Sequence, residues 1–106
     1  MECQDFLSSA RINEGVRQYH QTPGALLVDV RMPPEYREGH IPGSINIPLS
    51  SIQDIRFFAE DLDLPIFVYC LSGARSSRAV YALKSMGYTN VTNLGGISAY
   101  TGTIET

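Results

Sequence analysis

PIFVYCLSGARSSRAVYALKSMG, Pro65 to Gly87, changes its period in the middle. From Pro65 to Cys70 the residues form a short, nearly continuous apolar run, which is the pattern of a strand buried on both faces in a parallel sheet. The run stops at a cysteine and passes through a small polar turn containing Gly73 and Arg75. Apolar residues then return at Ala79, Val80, Leu83 and Met86, a spacing that predicts a helix over 76–86 with Gly87 closing its C-terminal end.

The same alternation extends outward in both directions. Upstream, Asn13 is placed to cap a helix running to about His20, ended by the Thr22-Pro23-Gly24 turn. A second buried strand follows over 25–30 (ALLVDV), and Pro33-Pro34 opens a short helix through Tyr36 and Arg37 that Gly39 closes. A brief strand is expected over 44–49 and a helix over 51–60 with Ile52, Ile55, Phe58 and Ala59 inward. Downstream, 90–94 gives the last short strand, and Gly95-Gly96 lead into a C-terminal turn or short helix from Ile97. Strands alternating with helices predict an α/β domain with a mainly parallel sheet, whose functional loops lie at the carboxyl ends of the strands. Cys70 stands at one of those ends.

Length and composition agree with a single domain over 1–106, in which 1–11 is expected to be a loosely attached segment. A chain of 106 residues buries roughly 65% of its unfolded surface, enough for a core of its own. With 43% apolar residues, 18% charged residues and a formal net charge of -3, there is no basic block to follow a phosphate backbone. Nucleic acid is excluded as the expected partner. So is a membrane, because no stretch approaches the roughly 20 apolar residues of a span, and without a signal-like leader the expected compartment is the cytoplasm. The two cysteines, Cys3 and Cys70, have neither the density of a disulfide scaffold nor the paired spacing of a metal site, so no metal is expected. Cys3 reads as incidental, the alternative being a resolving partner for Cys70.

The loop after Cys70 carries the chemistry. Between Cys70 and the helix, the small residues Ser72, Gly73 and Ala74 after Leu71 let the backbone curl so that its N–H groups point inward, the same way as the positive end of the following helix. A thiol at the centre of such a ring is acidified by those donors and by the charge of Arg75, which makes Cys70 a nucleophile near neutral pH. The competing reading is a small buried cysteine at a strand end followed by an exposed arginine.

Three blocks in this order, DVR at 29–31, GHIPGSINIP at 39–48 and C-x-x-G-x-R-S at 70–76, closely resemble a single-domain rhodanese, a sulfurtransferase, and the likeness extends over about 12–100. The resemblance implies a rhodanese-like three-layer α/β domain with a central, mainly parallel five-stranded sheet. It implies a catalytic Cys70 that takes sulfur from a small-molecule donor such as thiosulfate or a persulfide, holds it as a persulfide, and passes it to cyanide, a thiol or a protein acceptor. The donor would be bound by Leu71, Ser72, Gly73, Ala74, Arg75 and Ser76. No metal and no separate cofactor is needed, since the ring of donors serves the developing charge.

Other residues have quieter readings. Asp29 ends an apolar strand, where an ionised carboxylate needs a partner such as Arg31 or a loop amide; near the pocket, Asp29 and Arg31 are supporting candidates. Arg31 could instead pair with Glu35. His40 reads as a packed hydrogen-bonding residue, and Met32, Met86 and the tyrosines as packing. Arg78 is an exposed helix residue or an added charge at the mouth. Two positions depart from the family. Leu71 replaces a basic residue that many active relatives carry, which argues against thiosulfate as natural donor and for an apolar or protein-borne persulfide, and Tyr100 stands where tryptophan is common. Two rival functions remain: a regulatory or sulfur-carrier binding module, and a phosphatase or arsenate reductase on the same scaffold.

Overall fold

The computed structural model describes residues 2–106, with side chains from Ala10 onward. The elements are α1 (Glu2–His20), β1 (Leu26–Asp29), α2 (Pro33–Glu38), β2 (Ile45–Asn46), a 3-10 segment (Leu49–Phe57), β3 (Ile66–Cys70), α3 (Ala74–Ser85), β4 (Val91–Gly96) and a 3-10 turn (Ile97–Ala99). The strands form one parallel sheet in the order β2-β1-β3-β4.

Strand β3 shows why its sequence is apolar throughout: all five of its residues are buried. Ile66, Val68 and Cys70 face a core shared with Ala79 and Leu83 of α3 and with Ile52 and Ile55 of the 3-10 segment. Phe67 and Tyr69 face the opposite core, with Ile12 and Val16 of α1, Leu27, Ile41 and Leu94. Helices therefore cover both faces of the sheet, the α/β three-layer arrangement expected. The sheet, however, has four strands among the described residues and not five. The first 19 described residues are spent on α1, and the segment after β4 adds only an isolated antiparallel bridge between His40 and Glu105.

Several boundaries also differ. Asn13 does not start a helix: α1 runs through it from Glu2, and its side chain instead holds the C-terminal turn, accepting from Thr101 N–H at 3.0 Å and donating to Ala99 O at 3.4 Å. The expected helix over 51–60 is a 3-10 segment with a kink at Ser51. Ile52, Ile55 and Ala59 are buried as expected, but Phe58, just past the segment's end, stays half exposed. Helix α3 starts at Ala74, two residues early, because the turn preceding it is completed by Gly73. Among the described residues no helix is long and apolar enough to cross a membrane.

Parallel pairing places all strand carboxyl ends on one side. Asp29 is in register with Asn46 and Tyr69, and Cys70 with Gly96. The loops after β1, β3 and β4 converge there.

Candidate active site

Cys70 is buried at the end of β3. The chain turns at Gly73, whose φ of 109° lies in the left-handed region that suits glycine. This turn aims the Gly73 N–H at the sulfur, N to Sγ 2.9 Å. Burial pushes the Cys70 thiol up, but the polar Ser76 side chain beneath it and the backbone N–H groups of Ser76, Gly73 and Ser72 outweigh it, so the thiol sits below its ordinary value. Of the expected ring of donors, the Gly73 N–H lies within hydrogen-bond distance of the sulfur. Leu71, Ser72 and Ala74 lie on its exposed outer side, whereas Ser76 is buried beneath it.

Arg75 does something else than expected. Its guanidinium donates to both oxygens of Glu35, at 2.8 and 3.0 Å, each side chain being 32% exposed. The Arg75 hydrogen bonds hold the Glu35 carboxyl down at about 2, and Glu35 in turn raises Arg75. The pair is neutral as a unit. Of the two causes expected from the sequence, the loop donors and the Arg75 charge, the fixed dipoles of Ser76, Gly73 and Ser72 are the ones that lower Cys70 most, and the Arg75 charge is matched by Glu35.

Glu35 is thus not the partner of Arg31. Arg31 turns to Asp29 instead, Nε lying 3.0 Å from each carboxylate oxygen and Nη2 2.7 Å from Oδ2, while the Arg31 backbone N–H donates to Oδ1 at 2.9 Å. Both side chains are buried, so this two-pronged pair and the loop amide together meet the need of the Asp29 carboxylate. The same Nη2 also donates to Gly39 O at 2.6 Å, tying the end of β1 to the end of α2. His40, just beyond, stacks flat on Tyr36 at 3.7 Å, and its Nδ1 lies 2.8 Å from Tyr36 O. It is a packed residue, as read. Tyr100 packs against the α1-side core, which accommodates the aromatic exchange.

Three contributors were missed. Asn93 Oδ1 accepts from the Ser76 hydroxyl at 2.7 Å and from Gly95 N–H at 2.9 Å, anchoring the hydroxyl beneath the sulfur to β4. Gly96 lets the loop approach: a Cβ built there would fall 2.1 Å from Leu71 O and 2.6 Å from Ser72 Cα. Paired glycines at the end of a strand were a readable sign of close backbone approach. Ile104 is the third. It lies over Gly39, held by the two backbone hydrogen bonds of 2.8 Å between His40 and Glu105, and nothing in the local sequence marks it. With Leu71 and Ile97 it forms the apolar side of a cavity of about 460 Å³, whose polar side is Arg31, Glu35 and Glu38. Cys3 lies outside the residues whose side chains are described.

This geometry agrees with what the chain is similar to. Residues 13–103 match the model of the Rhodanese-like domain family. The chain is 41% identical over 71 residues to the thiosulfate sulfurtransferase PspE of Escherichia coli (strain K12), covering 66% of this chain and 68% of that protein. It is 42% identical over 80 residues to a sulfurtransferase of Allochromatium vinosum, covering 74% of each. Among solved structures, a rhodanese with anions from E. coli superimposes with a TM-score of 0.72 at 35% identity, over 76% of this chain and 96% of the other.

Proposed function

The chain belongs to the rhodanese-like domain family and is a rhodanese-type sulfurtransferase, and from that premise we propose that Cys70 is its covalent sulfur carrier. The Cys70 thiolate attacks the outer sulfur of a sulfane donor. The donor's S–S bond breaks, the remainder of the donor leaves with the electron pair, and the transferred sulfur stays on Cys70 as a persulfide. An acceptor, cyanide or a thiol, then attacks the terminal sulfur and releases the Cys70 thiolate. No net oxidation is involved. The residues of the loop 71–76 bind the donor and stabilise first the thiolate and then the terminal sulfur.

The observation that carries this reading is the N–H donor of Gly73 2.9 Å from Sγ, in a ring whose donors keep the thiol acidic despite its burial. The ring is also small. Only four residues separate Cys70 from Arg75, where a cysteine phosphatase loop has one more, and a tetrahedral phosphate needs that room for its oxygens while phosphorus stays in line with the thiolate. A binding module needs no acidified thiol. The test is the mass of the purified protein after a sulfane donor and desalting. A gain of one sulfur, about 32 Da, is expected for the wild type. Cys70→Ser, folded by thermal unfolding, is expected to show neither the gain nor turnover. Turnover by Cys70→Ser, or Cys70-dependent hydrolysis of an aryl phosphate without a persulfide, would overturn the assignment.

A further inference from the structure

The cavity beside Leu71 has a charge balance that decides which donors it admits. Arg31 lines it and is matched to Asp29, and the lining residue Glu35 is matched to Arg75, which itself does not line the cavity. Glu38, on the same wall, has no ion pair among the described residues. The other cations of the two flanking helices, Arg37, Arg78 and Lys84, are exposed and do not line the cavity. The wall as a whole is net negative. A dianion entering it meets no unmatched positive side chain and one unmatched negative one, so the N–H ring alone must offset its charge. Opposite stand Leu71, Ile97 and Ile104, of which Leu71 and Ile104 are 45% and 44% exposed. Such a surface gains by being covered.

We infer that the site selects sulfane donors with an apolar body and a single negative charge over inorganic thiosulfate, and that Ile104 is a specificity-determining residue. This rests on the reading of Cys70 as sulfur carrier. Ile104 suits the task because its place is fixed. The His40–Glu105 bridge, with N–H to O distances of 2.8 Å in both directions, clips its segment to the end of α2. Gly39 makes room for its Cγ2, which would lie 2.9 Å from any Cβ at that position. For an organic thiosulfonate the step is balanced: the Cys70 thiolate bonds to the terminal sulfur, the S–S bond breaks, and a sulfinate leaves carrying the electron pair, with no proton or co-reactant required.

Three donors separate charge from apolarity: thiosulfate, methanethiosulfonate and benzenethiosulfonate. Their kcat/KM values for persulfide formation are each divided by the rate of the same donor with free cysteine, which removes intrinsic reactivity. The expected order is benzenethiosulfonate, then methanethiosulfonate, then thiosulfate. Ile104→Ala is expected to lower the benzenethiosulfonate value about tenfold and leave methanethiosulfonate within about twofold. Ile104→Arg and, independently, Leu71→Arg are expected to raise the thiosulfate value about tenfold while lowering that of benzenethiosulfonate. The inference is overturned if wild-type protein uses thiosulfate as well as or better than benzenethiosulfonate, or if the folded variants change all three donors by one factor. Absence of the sulfur adduct with every donor would instead refute the sulfur-carrier reading itself.

Discussion

Gly96→Ala tests how the sheet builds the site. Gly96 has φ -126° and ψ 139°, extended backbone that alanine adopts without strain, so the substitution acts only through the new methyl group. That methyl would stand 2.1 Å from Leu71 O, 2.7 Å from Leu71 C and 2.6 Å from Ser72 Cα, against the 3.4 Å at which ordinary contact begins. All three are backbone atoms, and no rotamer change relieves them. The loop after Cys70 has to withdraw by about 1 Å, a displacement of the size that costs about a hundredfold in rate when it moves a catalytic group. Withdrawal pulls Gly73 N–H away from Sγ, and loss of a hydrogen bond to a charged sulfur costs about 1.5–3 kcal/mol, which is roughly the same factor. Overpacking costs the fold about 1–3 kcal/mol, which a domain of this size survives. The expected result is a folded protein whose kcat/KM for persulfide formation falls about a hundredfold, and whose Cys70 alkylation by iodoacetamide shifts to higher pH. Wild-type rates within about twofold, together with an unmoved alkylation profile, would refute the claim that Gly96 sets the loop against the sulfur.

Two further outcomes follow from the hydrogen bonds around the loop. Ser76→Ala removes the hydroxyl that most favours the thiolate; the Cys70 alkylation midpoint is expected to rise, and activity to fall more at pH 6 than at pH 9, as measured by paired pH profiles. Glu35 has its folded-state value lowered from 4.5 to about 2 by Arg75, so its contribution is fully present above pH 4.5 and is lost as pH falls toward 2. Because the pair is one-third exposed, the contribution is about 1 kcal/mol after screening. Urea unfolding of wild type and Glu35→Gln between pH 6 and pH 2 is expected to differ by that amount at pH 6 and to converge at the acid end, and a constant difference across the range would refute the assignment.

The fold was largely legible because its signals are local. Five consecutive apolar residues in β3, bounded by Pro65 and by a polar loop, have no other economical burial than the middle of a parallel sheet, and the period change at Cys70 announces the helix that must follow. What failed was equally physical. A capping residue at Asn13 is only a local preference, and residues before it were free to continue the helix; the asparagine side chain is instead taken by Ala99 and Thr101, more than 80 positions away. The 3-10 character of 49–57 leaves no trace in a pattern that shows only which residues turn inward. A fifth strand came from likeness to a family, whereas the residues themselves offered only four suitable runs.

The site divides along the same line, and the division explains its electrostatics. Cys70, Gly73 and Ser76 lie on one contiguous stretch from the end of β3 through the turn into the first turn of α3, and the direction of the Gly73 donor follows from the turn itself. The partners that set the charge balance are distant in sequence: Glu35 reaches Arg75 across 40 positions, and Asn93 reaches Ser76 across 17. Counting charges along the chain puts a free arginine beside the sulfur, while folding puts a carboxylate on that arginine. The consequence is a sulfur stabilised by dipoles that the backbone holds in place, beside a mouth whose guanidinium groups are already matched. A nest of N–H groups suits a monoanionic sulfur at any stage of transfer, because the negative charge moves by only one bond length from Sγ to the terminal sulfur. A free arginine would also have held the dianionic end of a donor. With that charge matched, the apolar side of the mouth formed by Leu71, Ile97 and Ile104 is where the discrimination between donors that we infer would act.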